Sequence, residues 1–270
     1  MNTQEKYETL KNTIKSYGSL AVAFSGGVDS TFLLKTAHDV LDDKVVAVTA
    51  RPRFFTEREI NDAKEFCIKE NITHIFCDTE ELKIEEIVKN APNRCYLCKN
   101  EILTKIKKAV GPYNIKYIAD GSNLDDDDDY RPGFQAVKEH GIKSPLKESG
   151  LIKAEIRELS KKLGLTTWDK PYISCLASRI PYGEEITEKK LEMVEKAERL
   201  LTDLGFSQMR VRIHGTIARI EINPEEFTKI TEPEVSQKIY AELKQYGFTY
   251  VTLDLRGYRT GSMNETLSEV

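Results

Sequence analysis

A glycine-rich turn between an apolar run and a helical segment is the feature that most constrains the fold of this chain. Residues 19–24 (SLAVAF) have the composition of a buried strand, residues 25–30 (SGGVDS) form the turn, and a helical pattern follows. Three further apolar runs, KVVAVTA, NITHIFCD and IKYIADG, alternate with helical segments downstream. Strands that alternate with helices predict an α/β fold with a parallel sheet covered by helices. Ligands of such sheets bind at the carboxyl ends of the strands.

The pattern changes near Thr187, where a long helix, two strands and further helical segments replace the regular alternation. The later strands fall in SQMRVRIHG, IARIEI and TYVTLDL. This order of elements is typical of a separate α+β domain. We therefore expect a larger domain over residues 1–183 and a smaller C-terminal α+β domain over residues 184–270.

Charge and cysteine content bear on the partners of the chain. The formal net charge is −4 and there are five cysteines. This near balance gives no overall attraction to nucleic acid, so we expect no nucleic-acid partner. The polar N-terminus does not resemble a signal peptide, and no apolar run is long enough to span a bilayer. We expect a cytoplasmic protein with reduced thiols and no membrane partner.

The turn at residues 25–30 has the properties of a phosphate site. Its backbone amides and the positive end of the following helix dipole point toward one place. Gly26 and Gly27 allow the main chain to approach a phosphate closely, and Ser25 and Ser30 add hydroxyl donors. The lysine of the Walker A motif is missing, so the phosphate clamp of kinases and GTPases is not predicted. On these residues alone, an ordinary glycine-rich turn stays open as the alternative.

The hexapeptide resembles the pyrophosphate loop of the PP-loop ATP pyrophosphatases, whose fold is Rossmann-like and similar to the adenine nucleotide alpha hydrolases. Members of this family adenylate a carbonyl or carboxylate oxygen, release pyrophosphate, and let a nitrogen or sulfur nucleophile displace AMP. The resemblance implies that ATP binds with Mg²⁺ and that Asp29 is catalytic. The residues that it assigns to the pyrophosphate part of ATP are Ser25, Gly26, Gly27, Asp29 and Ser30.

Later segments resemble one branch of that family, the LarE-type sulfur transferases of nickel-pincer nucleotide biosynthesis. They are DGSNLDDDDDYRPG (120–133), SPL (144–146), CLASRIPYG (175–183) and GYRTGSMNE (257–265). The resemblance implies that Gly121 and Asn123 approach the nucleotide, and that Asp125 and Asp129 lie near it as metal or hydrogen-bond partners. A run of five aspartates is otherwise typical of a solvated loop.

The same resemblance implies the partners of the reaction. The substrate would be pyridinium-3,5-biscarboxylic acid mononucleotide, whose carboxylates become thiocarboxylates. The sulfur would come from sulfide or another sulfur donor. The family also implies a homo-oligomer.

The cysteine of CLASR bears the sulfur in this family, and Cys175 matches it. In the simplest members this residue gives up its sulfur and remains as dehydroalanine, so each chain acts once. A thiolate near Arg179 is expected to be a competent nucleophile. Cys175 and Arg179 are therefore candidate catalytic residues.

The pair Cys95 and Cys98 in NRCYLCKN is not needed by single-cysteine members. Four explanations stay open: a metal clamp, a redox pair, two buried thiols, or two ligands of a 4Fe–4S cluster that Cys175 completes. Three thiolates leave one iron open to bind hydrosulfide, which would make sulfur transfer repeatable. We favour the cluster over single-use chemistry. Cys67 and Cys77 fall on a helix and a strand, where we expect core thiols.

The strand RVRIHG carries Arg210, Arg212 and His214 on one face, because strand side chains alternate. A row of cations attracts phosphate or carboxylate, and a solvated face of mixed charge is the alternative. The resemblance assigns Arg210 and Arg212 to the substrate phosphate, and Glu221 to the same site.

Other activities remain alternatives. A tRNA thiolase of the same fold would need an extended basic surface. An amide-forming PP-loop ligase would use ammonia and would have no use for three cysteines. A non-catalytic nucleotide-binding module would release no pyrophosphate.

Overall fold

The computed structural model describes residues 1–128, 133–171 and 174–267. Within these residues no helix combines the length and the apolar character that crossing a membrane requires. Contacts divide the chain into two compact units, residues 1–81 with 93–173 and residues 82–92 with 174–270. Each unit has its own sheet.

The first unit contains a four-stranded parallel sheet, as the sequence pattern predicts. Its strands are β1 (Leu20–Ala23), β2 (Val45–Arg51), β3 (Thr73–Asp78) and β4 (Tyr117–Ala119). Their spatial order is β3-β2-β1-β4, and each neighbouring pair is parallel. The chain therefore changes direction across the sheet between β1 and β4, and this switch point is where such sheets bind ligands. The predicted α/β class is confirmed.

Helices precede, connect and follow these strands. In chain order they are α1 (Thr3–Tyr17), α2 (Val28–Leu41), α3 (Glu57–Lys69), α4 (Glu85–Val88), α5 (Arg94–Val110), α6 (Gly133–Glu139), α7 (Pro145–Glu148), α8 (Lys153–Lys162), α9 (Glu188–Asp203), α10 (Phe227–Thr231) and α11 (Pro233–Tyr246). The start of α3 follows directly from its sequence. The Thr56 hydroxyl accepts from the Glu59 backbone N–H at 3.3 Å, and the Glu59 carboxylate accepts from the Thr56 N–H at 3.0 Å. This reciprocal pair satisfies two amides that the helix itself leaves unpaired.

Helices cover both faces of the sheet. On one face Leu20 and Val22 pack in a cluster that includes Phe32 of α2. On the other face Ala21 packs in a cluster that includes Leu103 of α5. Successive residues of β1 point to opposite faces, so both sides of this strand are buried. The packed sheet fixes the positions of the loops that follow its strands.

The second unit is built on a three-stranded sheet. Its strands are β5 (Met209–His214), β6 (Ile217–Ile222) and β7 (Tyr250–Leu253). The strands β5 and β6 are antiparallel, β6 and β7 are parallel, and α9 packs on β5 and α11. This is the smaller α+β domain that the sequence predicts.

Residues 82–92 join the second unit through backbone hydrogen bonds to a distant segment. The Gly183 N–H donates to the Asn90 carbonyl at 3.1 Å, and the Ile186 N–H donates to the Val88 carbonyl at 2.8 Å. The sequence-based division at residues 183 and 184 differs from the two units of the structure for this reason. Pairing between segments that are so far apart leaves no local pattern in the sequence.

Candidate functional site

The glycine-rich loop connects β1 to α2 at the switch point of the first sheet. The Ser25 and Ser30 hydroxyl oxygens lie 3.1 Å apart, and Gly26 has a φ of 69°, in the left-handed region that glycine tolerates. Gly27 is the N-cap of α2 and has no side chain with which to cap the helix. The first amides of α2 are therefore suited to an anion.

The end of β4 lies directly against this loop. A Cβ atom added to Gly121 would lie 2.9 Å from the backbone nitrogen of Ser30. The Asn123 side-chain amide donates to the Asp29 carboxylate at 3.5 Å. The structure thus brings Gly121 and Asn123 together with the glycine-rich loop, although no sequence motif connects the two segments.

Asp29, in the first turn of α2, pairs with a cation that the sequence reasoning missed. The Lys153 ammonium group, at the start of α8, donates a hydrogen bond to the Asp29 carboxylate. Burial raises the pKa of Asp29 above its ordinary value, and the charge of Lys153 opposes that rise. Lys153 therefore stabilises the ionised form of a carboxylate at the mouth of the loop.

A second missed cation holds the main chain of the loop. The Lys170 ammonium group donates to the Gly26 carbonyl at 3.2 Å and to the Asp62 carboxylate at 2.9 Å. The segment that carries Lys170 is fixed in turn by Arg157, which donates to the Trp168 carbonyl at 2.6 Å and to the Lys170 carbonyl at 2.8 Å. Lys170 is thereby a candidate positioning residue for the phosphate loop.

The first aspartates of the acidic run make local hydrogen bonds. The Asp125 carboxylate accepts from the Lys153 backbone N–H at 2.9 Å, at the start of α8. The Asp126 carboxylate accepts from the Asn123 backbone N–H at 2.9 Å. These contacts give both residues a structural role in the turn that carries Asn123. Asp129 lies outside the described residues.

Cys175 belongs to the second unit and precedes a short 3₁₀ turn, Leu176–Arg179. Its side chain is half-buried. The Arg179 guanidinium, 1 % exposed, donates to the Cys175 carbonyl at 2.9 Å and to the Ser174 carbonyl at 2.7 Å. It also donates to both carboxylate oxygens of Glu198, at 2.9 and 2.8 Å. Arg179 thus contacts the main chain around the cysteine and fixes its conformation.

The arginines of β5 are buried, so a solvated face of mixed charge is excluded for them. Arg210 is 7 % exposed and lies over the Tyr258 ring at 5.3 Å from its centroid. Burial lowers the pKa of Arg210 below its ordinary value, and the charge of Arg179 adds to that effect. Arg212, 5 % exposed, donates to the Glu221 carboxylate at 2.9 and 3.1 Å.

Positive charge accumulates in this part of the second unit. Arg219 lies 3.2 Å from the same Glu221 carboxylate, which is 0 % exposed. Buried cations that repel one another favour a bound anion, because an anion offsets both their mutual repulsion and their loss of hydration. His214, which the alternation of the strand places with Arg210 and Arg212, is half-buried, and burial lowers its pKa.

The cysteines fall into two groups by environment. Burial raises the pKa of Cys67 to about 12 and that of Cys77 to about 11, as expected for core thiols. Cys95 and Cys98 are half-buried in the first turns of α5, and the Arg94 guanidinium donates to the Cys95 sulfur at 3.5 Å.

The predicted cluster ligands come from both units, since Cys95 and Cys98 belong to the first unit and Cys175 to the second. Taken over its described residues, neither unit contains a group of three or more His, Cys, Asp or Glu side chains that could hold a metal ion. A three-cysteine site therefore stays a prediction.

The parallel sheet and the glycine-rich loop at its switch point define an α/β protein of the PP-loop type. No family model matches the chain. The chain is 41 % identical over 266 residues to the uncharacterized protein slr1717 of Synechocystis, which covers 98 % of this chain and 99 % of the relative. It is 37 % identical over 266 residues to the pyridinium-3,5-bisthiocarboxylic acid mononucleotide synthase of Lactiplantibacillus plantarum, which covers 98 % of this chain and 95 % of the synthase. The chain belongs to the family of that synthase, the LarE family.

A more distant similarity agrees with the fold. The chain is 22 % identical over 265 residues to a glutamine-hydrolyzing GMP synthase of Thermoplasma acidophilum, and the match covers 92 % of this chain and 82 % of the synthase polypeptide. This similarity extends over both units of the structure.

Proposed function

We propose that this chain is an ATP-dependent sulfurtransferase that converts carboxylates of pyridinium-3,5-biscarboxylic acid mononucleotide into thiocarboxylates. The observation that carries the proposal is the 37 % identity to the Lactiplantibacillus plantarum synthase along 98 % of the chain. The presence of Cys175 beside a buried, arginine-rich turn supports it. We also expect a cytoplasmic homo-oligomer, which light scattering on the purified protein tests.

ATP binds with its phosphates at the glycine-rich loop in this proposal. The first amides of α2 and the hydroxyl groups of Ser25 and Ser30 donate to the phosphate oxygens, and Lys153 adds a positive charge. Mg²⁺ takes oxygen ligands from one or two carboxylates together with phosphate groups. Asp29 and Asn123 supply oxygens of this kind, so the residues fit the ion, which would neutralise phosphate charge.

The mononucleotide binds through its phosphate to Arg210 and Arg212 of β5, with Glu221 orienting Arg212. One carboxylate oxygen of the substrate attacks the α-phosphorus of ATP. The bond between that phosphorus and the bridging oxygen breaks, and pyrophosphate leaves with the electron pair. The product is an acyl-adenylate, whose carbonyl carbon is open to a sulfur nucleophile.

Cys175 supplies the sulfur in the sacrificial form of the reaction. Its thiolate attacks the acyl carbon, AMP leaves, and a thioester forms. Removal of the Cys175 α-proton then breaks the Cβ–S bond, which releases the thiocarboxylate and leaves dehydroalanine. Arg179 holds the main chain around the cysteine throughout.

A 4Fe–4S cluster would make the same transfer repeatable. Cys95 and Cys98 are half-buried thiols one helical turn apart, and Cys175 is a third half-buried thiol, so the donor set fits such a cluster in kind. With three cysteine ligands, a bound cluster would offer one open iron that can carry sulfide. The cysteines of this chain would hold it, and the phosphate and carboxylate steps would remain with the residues named above.

The two forms are separated by one preparation of the protein without oxygen. About four iron and four sulfide ions per chain, lost in both Cys95→Ala and Cys175→Ala, would establish the cluster. An iron-free chain in which Cys175 loses the mass of hydrogen sulfide on turnover would establish the sacrificial form. Cys77→Ala is the matched control because its thiol has the properties of a core residue. Pyrophosphate release without any thiocarboxylate, in the wild-type protein, would contradict both forms.

The similarity to a glutamine-hydrolyzing GMP synthase favours a second candidate, an amide-forming ligase that uses the same adenylate. This activity would not need the cysteines. A triple variant with Cys95, Cys98 and Cys175 replaced by serine that still consumes the adenylate with ammonia would support it. Loss of all product formation in that variant, with pyrophosphate release retained, would support sulfur transfer.

A further inference from the structure

Asn90, between α4 and α5, combines two properties that require an explanation. It is 0 % exposed, and its φ is 53°, in the left-handed region. Glycine, asparagine and aspartate enter this region at low cost, whereas most other residues are strained there. The backbone alone would accept glycine, so the buried side chain must serve a purpose of its own.

That purpose is visible in its hydrogen bonds. The Asn90 side-chain nitrogen donates to the Ile180 carbonyl at 3.0 Å and to the Pro181 carbonyl at 2.7 Å. A side-chain amide has two N–H donors, so both are used on consecutive carbonyls. These carbonyls directly follow the 3₁₀ turn Leu176–Arg179, and the end of such a turn needs partners from elsewhere. The Gly183 N–H returns a bond to the Asn90 carbonyl at 3.1 Å, which fixes the register of the two segments.

The other end of the same turn is held by Arg179 through the Ser174 and Cys175 carbonyls. The main chain around Cys175 is therefore anchored on both sides by side chains that bond to its carbonyls. We propose that Asn90 is a positioning residue that sets the location of the Cys175 thiol for attack on the adenylate. This inference rests on the proposed function, because it assumes that the Cys175 sulfur reacts.

The effect of losing this anchor follows from the demands of the reaction. An attacking atom must lie within a few tenths of an ångström of a productive position, and a displacement of about 1 Å can cost about a hundredfold in rate. Asn90→Gly keeps the left-handed backbone and removes both donors. Asn90→Asp keeps the volume of the side chain and turns an acceptor toward two carbonyl oxygens. Asn114→Gly is the matched control, since Asn114 has the same φ of 53° but is exposed.

The experiment measures three quantities on each full-length variant: ATP affinity, thiocarboxylate formed per chain, and the rate at which iodoacetamide alkylates Cys175. For Asn90→Gly and Asn90→Asp we expect thiocarboxylate formation to fall at least about tenfold. The alkylation rate should change as well, while ATP affinity should be unchanged because the phosphate loop belongs to the first unit. Asn114→Gly should match the wild type in all three.

Two results would overturn the role of Asn90. One is wild-type sulfur transfer and wild-type alkylation in both Asn90 variants. The other is a loss of ATP affinity that parallels the loss of sulfur transfer, which would mean general unfolding. A wild-type protein that forms no thiocarboxylate would instead refute the proposed function. The alkylation rates do not depend on the reaction and would still decide whether Asn90 positions Cys175.

Discussion

The ammonium group of Lys153 forms an ion pair with the carboxylate of Asp29, at a phosphate loop that has no lysine of its own. The lysine comes from the start of α8, and the aspartate from the first turn of α2. A carboxylate at a helix N-terminus would repel phosphate if it stood alone. The pair reduces that repulsion and leaves Asp29 able to exchange Lys153 for a metal ion when ATP arrives.

We expect Asp29→Asn to separate stability from activity. Burial raises the pKa of Asp29, so the folded state disfavours the ionised carboxylate. Stability from this group is full below the ordinary aspartate value of 3.8 and is lost as the pH rises through the higher folded-state pKa. At neutral pH the wild-type protein therefore carries a cost that asparagine removes. Asp29→Asn should melt at a higher temperature at neutral pH and should release pyrophosphate more slowly.

Thermal melts of Asp29→Asn and wild type across the acid range check this sign. The stability gain of the variant should shrink as the pH falls toward 3.8. Asp39→Asn, at the surface of the same helix, serves as the control and should change neither property. An Asp29→Asn protein that is less stable than wild type at neutral pH would show that the Lys153 pair outweighs burial.

Gly121→Ala tests the close approach of β4 to the phosphate loop. The new methyl group would lie 2.9 Å from the Ser30 backbone nitrogen, which cannot move without shifting α2. We expect a loss of about 1–3 kcal/mol in the free energy of unfolding and at least tenfold weaker ATP binding. Gly111→Ala is the control, because nothing lies within 4 Å of its added Cβ and its φ is −46°. Chemical denaturation and ATP titration of both variants provide the comparison, and equal effects would refute the role of Gly121.

His74 is expected to make the protein sensitive to mild acid. The Thr49 hydroxyl donates to the Phe24 carbonyl at 2.7 Å, so it accepts its 2.7 Å hydrogen bond from Nε2–H of a neutral His74. Burial lowers the pKa of His74 to about 4, from an ordinary value of 6.5. The stability that depends on the neutral ring is complete above 6.5 and is lost as the pH falls toward 4.

Comparing His74→Gln with wild type isolates this contribution from the titration of the carboxylates. The variant should lose less stability between pH 6.5 and 4, by on the order of 3 kcal/mol at most. His38→Gln, whose ring bonds the Asp42 carbonyl at the surface, should follow the wild-type curve. Parallel curves for His74→Gln and wild type would mean that the ring becomes protonated without cost.

The sequence predicted the elements that carry local patterns. The apolar runs of β1 to β4 and the helical spacing between them indicated the parallel sheet, and the capping pair Thr56 and Glu59 indicated the start of α3. Hydrophobic period and capping depend on near neighbours in the chain, so one sequence suffices to recognise them. The glycine-rich loop was predicted at the carboxyl edge of the sheet for the same reason.

Contacts between distant residues could not be predicted in this way. Lys153 and Lys170 reach the phosphate loop from 124 and 144 residues away, and each stands in an ordinary helix or loop sequence. For Arg210 and Arg212, strand alternation indicated the shared face, but it could not show that the face is buried or that Arg212 is paired with Glu221. Burial of charge depends on the packing of the whole unit, which local patterns do not contain.

Arg179 and Glu198 form the buried ion pair that should matter most for the second unit. Burial alone would raise the pKa of Glu198, but the charge and hydrogen bonds of Arg179 lower it below its ordinary value. Removing one partner of such a pair leaves an uncompensated charge, which costs about 3–5 kcal/mol. We expect Arg179→Lys to lose much of this stability as well, because a lysine cannot donate simultaneously to the carboxylate and to the Ser174 and Cys175 carbonyls in the same geometry.

Denaturation of Arg179→Lys, Glu198→Gln and the control Lys196→Ala measures this contribution. Lys196 pairs with Glu192 on the exposed side of the same helix, so its replacement should cost less than about 1 kcal/mol. The stability that the Glu198 carboxylate provides is present above its ordinary value of 4.5 and is lost as the pH falls through its lower folded-state pKa, so Glu198→Gln should lose less stability than wild type over that range. If Arg179→Lys is as stable as wild type but transfers no sulfur, Arg179 acts on the reacting groups. If stability and sulfur transfer fall together, its role is to hold the turn that carries Cys175.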